Sequence, residues 1–186
     1  MLRTLSEAST GFLERNNVIS GEKRNIYVYG FEVIYSTAIC FAGILILGWL
    51  GHRMLGTLIF LLYFTLIRIF AGGYHAKTYG GCFLATNAAY LLESFLAGLT
   101  APHRFVQWCI LLLSVMYIWN RAPVKNTHRQ LPEEKRTKNQ AKARMCLCAS
   151  LASMLVFQVS GCTVIMPEVA STLAIVAGMI FITFIT

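Results

Sequence analysis

The sequence predicts an all-α polytopic membrane protein, and three observations carry that prediction. Of 186 residues, 56% are hydrophobic and only 13% charged, with a mean hydropathy of +0.61. Soluble domains average about 45–50% apolar and about 25% charged residues. Six apolar stretches approach the about 20 residues that a membrane-spanning helix needs. The 16 Lys and Arg residues gather in particular connections. Their excess over the eight acids, all of them Glu, therefore reads as membrane orientation and not as a nucleic-acid footprint. A single membrane domain, 1–186, accounts for the length.

The elements follow in order. In residues 1–25, Leu2, Leu5, Phe12 and Leu13 recur at roughly helical spacing with charges between them. That is the pattern of an amphipathic helix lying along the headgroup boundary. The same stretch lacks the short apolar core of a secretory signal. The predicted spans are 26–50, 54–71, 80–101, 105–120, 145–166 and 169–186. The second and fourth are short and suit a locally thinned bilayer. Between the fourth and fifth lies one long polar connection, 121–144, with eight basic residues, Glu133 and Glu134. Its "LPEEKRTKNQAKAR" reads as the start of a short helix with Pro132 at the first turn. By default such a loop holds topology and meets anionic lipid.

Six spans place both termini on one side. If that side is cytoplasmic, fourteen of the sixteen basic residues face it, Arg53 and Arg104 being the exceptions. This is a strong positive-inside signal. It puts the connection between the second and third spans, "AGGYHAKTYGGC", at the cytoplasmic face.

That connection is chemically loaded. A cysteine becomes a useful nucleophile as a thiolate, and a neighbouring histidine can take its proton. His75 and Cys82 stand seven residues apart. One continuous helix would separate them by about 10.5 Å along its axis, beyond hydrogen-bond reach. If the two act together, the chain between them must turn back. Gly80 and Gly81 would allow that turn and leave Cys82 near the N-terminus of the third span. There the helix dipole and free N–H groups favour a thiolate and can serve an oxyanion. Read as a bare pair, the two residues fit an interface His and Cys of no function equally well. Metal binding is weaker still, since Cys146 and Cys148 are the one close pair and have no nearby histidine.

The run Arg68, Gly73, His75, Cys82, with Ala76-Lys77 directly after the histidine, closely resembles the signature of the accessory gene regulator B family. These are membrane cysteine endopeptidases of Gram-positive bacteria that process quorum-sensing propeptides. Length, hydrophobic spans and the basic loop resemble the family in outline. The resemblance implies a multi-pass protein of the bacterial cell membrane and a reaction that needs no cofactor. Cys82 would attack a peptide carbonyl near the C-terminal end of a short precursor. His75 would serve as base and then as acid. A thioester acyl-enzyme would then be resolved by a side chain of the precursor, closing a thiolactone or lactone ring. The implied partners are a propeptide with an amphipathic leader and an acidic C-terminal tail, membrane lipids, and a second copy of the chain. Lys125, Arg129, Lys135 and Arg136 are candidates to steer the acidic tail. Arg68 is expected either to pair with a precursor carboxylate or to hold the turn. The alternative is an arginine that snorkels to the headgroups.

Glu93 falls near the middle of the third span and reads as a protonated carboxyl bonded to another helix. Glu32, at the inner end of the first span, is a weaker candidate for a third catalytic member. Asn87 could bond across helices. Cys40 and Cys109 read as small apolar fillers. A different function class remains open at this stage: a small carrier, in which Arg68, Asn87 and Glu93 line a polar path and the glycines mark a broken helix. Such folds often repeat the break in their second half, and no counterpart is visible here.

Overall fold

A computed structural model describes residues 2–72, 78–124, 133–161 and 164–185, with side chains throughout except at 133–136. Among the described residues there are seven α-helices and no strand: α1 (Leu2–Arg15), α2 (Arg24–Leu50), α3 (Met54–Ala71), α4 (Tyr79–Thr100), α5 (Arg104–Arg121), α6 (Glu133–Val159) and α7 (Ile165–Ile185). Five of these, α2, α3, α4, α6 and α7, are long and apolar enough to cross a membrane. The fourth predicted span does form a helix, α5, but Gln107, Ser114 and Asn120 interrupt its apolar run. It is built into the bundle all the same. Leu111, Val115 and Ile118 are buried, and its most extensive contact is with α7.

Helix α7 is the axis of the bundle. It is apolar on nearly all sides, the pattern of a helix enclosed by others, and is buried almost continuously from Met166 to Val176. Helices α3, α4 and α5 pack around it. Phe60, Phe64 and Ile67 of α3 and Tyr90 of α4 complete the core. The Phe60 ring stands 4.9 Å from Phe64 and 5.3 Å from Tyr90. On the outside, Ile34, Leu62, Leu84, Leu91 and Leu113 are exposed, as suits side chains that meet lipid.

Small residues set the closest helix approaches. On α2 the buried residues are Ser36, Cys40, Ile44 and Gly48, one stripe at every fourth position. Gly48 lies so tightly on Thr57 of α3 that a Cβ there would overlap its hydroxyl. Helix α1 lies against α2 in a similar way. Ser6 and Thr10 face inward and are buried, while Leu5 and Phe12 point away and are exposed. A hydrogen bond of 2.7 Å between the Ser9 and Tyr35 hydroxyls ties the two helices.

Three element boundaries differ from the sequence reading. Helix α6 begins at Glu133, within the basic connection, and runs unbroken for 27 residues instead of starting at Met145. Lys and Arg are good helix formers, so the charged segment simply prolongs the span. At the other end α6 stops at Val159, followed by Gly161 with a left-handed φ of 74°. The last helix therefore starts at Ile165, and Pro167 sits in its first turn, where no helical N–H bond is lost.

Candidate active site

Helix α3 ends where Gly72, with φ 76°, turns the chain left-handed. Helix α4 starts at Tyr79, so the loaded connection is not one continuous helix. Thr78 caps α4, its hydroxyl accepting from the Gly81 N–H at 3.1 Å. The Cys82 N–H makes a helical bond of 2.9 Å to the Thr78 carbonyl. Gly80 and Gly81 thus lie inside the first turn of α4 and not in a reverse turn before it. The left-handed glycine of this connection is Gly72, among the described residues. Cys82 is half-buried in that first turn. The N–H groups of Tyr79 and Gly80 have no acceptor within the helix, because the turn that would supply one is missing. The dipole adds partial positive charge there.

Arg68 comes to the same place from the last turn of α3. Its guanidinium points into the bundle and not out to the headgroups. It donates to the Met179 sulfur at 2.9 Å and stands 5.2 Å from the centre of the Phe64 ring. It lies within charge range of the thiols of both Cys82 and Cys40. Cys40 of α2 is buried on the packing stripe, as a small apolar filler would be, and its thiol lies near that of Cys82. Beside it, the Tyr79 hydroxyl donates to Glu32 at 2.7 Å, placing Glu32 at the N-terminus of α4.

The basic connection reaches this end as well. The Val124 N–H donates to the Ala71 carbonyl at 3.0 Å, pinning the chain after α5 to the end of α3. Lys142 lies over Phe70 at 5.6 Å, and Arg144 over Trp119 at 4.9 Å. Lys135 and Arg136 lie in the first turns of α6. Lys125 and Arg129 fall outside the described residues, as do Gly73, His75 and Lys77.

The family model for accessory gene regulator B matches residues 6–186, nearly the whole chain. The chain belongs to the accessory gene regulator B family. Membership carries a role in the processing of quorum-sensing propeptides, and the apolar helices make this a multi-pass membrane protein. No curated protein and no solved structure matches the chain. Of the four residues that carry the resemblance to accessory gene regulator B, Arg68 and Cys82 are described, and they stand together.

A second polar cluster occupies the opposite end of the bundle. Arg53, just before α3, donates to Glu168 of α7 at 2.6 Å and to the hydroxyl of Ser94 at 2.9 Å. The Glu93 carboxyl, fully buried, meets that of Glu168 and is 3.5 Å from the Thr172 hydroxyl. Gly56 makes room, since a Cβ on it would lie 2.8 Å from a Glu168 oxygen. A cavity of about 420 Å³ borders Arg53, Arg104, Gln107 and Glu168. Sequence reasoning found Glu93 but not its partners. Among the described bonds Asn87 makes none to another helix: its amide donates to the Phe83 carbonyl of its own helix at 2.8 Å, while its oxygen lies against Gly43 of α2. The residues that a carrier would string into a path are engaged separately, Arg68 at one end, Glu93 at the other and Asn87 on its own backbone.

Proposed function

We propose that this member of the family is a membrane cysteine endopeptidase and cyclase whose nucleophile is Cys82. The observation that supports the reading is the position of Cys82, in the first turn of α4, within charge range of the inward-pointing guanidinium of Arg68. The side chain and the helix end both put positive charge near the sulfur, where it stabilises the negative charge that develops as the proton leaves. His75 acts as general base toward Cys82 and then protonates the leaving amine. The sulfur attacks the precursor carbonyl, and the N–H groups of Tyr79 and Gly80 stabilise the oxyanion. The C-terminal tail departs and a thioester to Cys82 remains. A thiol or hydroxyl of the precursor then attacks that thioester and closes the ring. Exchange of one thioester for another is nearly balanced in energy, so ring closure wins only if water is kept out. A half-buried cysteine where the helices meet the interface suits that demand.

The precursor is a short propeptide with an amphipathic leader and an acidic tail. Lys125, Arg129, Lys135 and Arg136 draw the tail in by long-range attraction. The Val124–Ala71 bond supports this, because it holds the start of the basic connection against the end of α3. Both termini and the site face the cytoplasm of a bacterial cell membrane, a reading supported by the distribution of basic residues. Assembly as two copies rests on the family alone.

The test is alkylation of Cys82 in inside-out vesicles across pH, read by mass spectrometry, in wild type and His75→Ala. Cys146 and Cys148 serve as internal references. Fast labelling of Cys82 near neutral pH, lost in His75→Ala, is the expected result. Labelling of Cys82 no faster than the references, with or without a bound precursor, would sink the assignment.

A further inference from the structure

Two thiols meet at this end of the bundle, and the reaction above uses only one. Cys40 lies on the packing stripe of α2 and is 5% exposed, while Cys82 is half-buried and reachable. The two thiols lie near enough to influence each other's charge. Their approach is fixed by the backbone. Gly43, one turn after Cys40, lies so near Phe83 that a Cβ on it would fall 2.8 Å from the Phe83 ring. Helices α2 and α4 are thus in close contact within one turn of Cys40 and directly beside Cys82. Both cysteines are free, and Arg68 lies within charge range of both. A thiolate beside a fixed cation, accessible on one side, is the form that two-electron oxidants attack. A second thiol within reach turns that attack from damage into a reversible bond.

We propose that Cys40 and Cys82 form a reversible disulfide under peroxide, a modification that switches the nucleophile off. In the first step the Cys82 thiolate attacks one peroxide oxygen. The O–O bond breaks, hydroxide leaves and takes up a proton as water, and Cys82 becomes a sulfenic acid. In the second step the Cys40 sulfur attacks the Cys82 sulfur. The S–O bond breaks, and the departing hydroxide takes the Cys40 proton and leaves as a second water. Two thiols are oxidised, one hydrogen peroxide is reduced, and one disulfide and two waters result. A dithiol reverses the bond by thiol–disulfide exchange. While it stands, the Cys82 sulfur is tied back to α2 and cannot reach a carbonyl. It is also shielded from irreversible oxidation to a sulfinic acid. The switching rests on Cys82 being the nucleophile; the disulfide itself does not.

The experiment uses the full chain in nanodiscs, treated with hydrogen peroxide, alkylated, digested and read by mass spectrometry. In the wild type, a linked Cys40–Cys82 peptide should emerge, with Cys82 alkylation lost and then restored by dithiothreitol. In Cys40→Ser and Cys40→Ala the loss should persist after dithiothreitol, with Cys82 found as the sulfinic acid. Untreated variants that alkylate Cys82 at the wild-type rate report an intact fold. Absence of the linked peptide in wild type, a link confined to Cys146 and Cys148, or full recovery of Cys82 in Cys40→Ala would each overturn the proposal. If the linked peptide forms but the oxidised protein still processes a co-reconstituted precursor, the modification stands and the nucleophile assignment falls.

Discussion

Arg53 and Arg68 stand near opposite ends of α3, and their surroundings differ in kind. Arg53 is tied to Glu168 and Ser94, and through Glu168 to the buried Glu93. Its partners come from α4 and α7, so the cluster fastens three elements together. Arg68 donates to Met179, stands over the face of Phe64 and lies within charge range of two thiols. The first arginine ties elements of the bundle together; the second stands beside the residue proposed as nucleophile. The family match covers both ends equally, so the comparison must be settled by removing groups one at a time.

The largest difference should come from Cys82→Ala. Precursor processing should fall by about 10³-fold or more, as for loss of a nucleophile elsewhere. The unfolding midpoint in detergent should hardly move, since the side chain is small and only half-buried. Processing is read by mass spectrometry of the released tail. His75→Ala should cost about 10²–10⁴-fold, the usual worth of a general base. If Cys82→Ala unfolds the protein, or leaves processing intact, the contrast between the two ends fails at its functional side.

The reverse pattern is expected at the Arg53 end. Glu168→Ala leaves a guanidinium without its carboxylate. Breaking a fully buried pair costs about 3–5 kcal/mol. Arg53 is about a third exposed on its side chain, so about 2–4 kcal/mol is the better figure here. Thermal unfolding should shift down markedly, while processing per folded molecule should hold. A smaller loss should follow Gly48→Val, which drives side-chain atoms into Thr57 across the α2–α3 contact. Overpacking of this kind costs about 1–3 kcal/mol. Adding Thr57→Ala should recover part of it, as coupled neighbours do. Equal losses from Gly48→Val with and without Thr57→Ala would mean that the two helices are free to part.

Much of this was legible in the sequence, for a physical reason. Apolar runs announce membrane helices because lipid tolerates little else, so α2, α3, α4 and α7 follow closely from the hydrophobic pattern. A helix starting near Pro132 was legible from its turn residues, but its continuity with the fifth span was hidden, because hydropathy is blind to a helix that continues into water. Cys82, the proposed nucleophile, stood out as part of a motif, yet the thiol near it did not. Cys40 looks like filler within an apolar run, and only the four-residue stripe with Ser36 and Gly48 marks its face as the packing face. The clamp of Arg53 on Glu168 joins groups 115 positions apart. Each stands near a span end, where a charge needs no explanation, and nothing local links them.

The smallest effect is the most discriminating. Glu93 and Glu168 lie close together, but of the two carboxyls only that of Glu168 accepts from Arg53 among the described bonds. One negative charge opposite one guanidinium satisfies the cluster; a second buried charge would have no cation to face. Glu168 is therefore the carboxyl that fastens the cluster, while the described bond to Glu93 is the weak one from the Thr172 hydroxyl at 3.5 Å. Glu93→Gln preserves shape and an acceptor, so it should cost no more than about 1 kcal/mol, near the net worth of one hydrogen bond. Glu168→Gln removes the charge itself and should approach the loss seen in Glu168→Ala. Paired unfolding curves of the two glutamine variants read this asymmetry directly. If Glu93→Gln is instead the more damaging of the two, Glu93 is the fastening carboxyl, and the fastening of α3, α4 and α7 runs through α4 and not through α7.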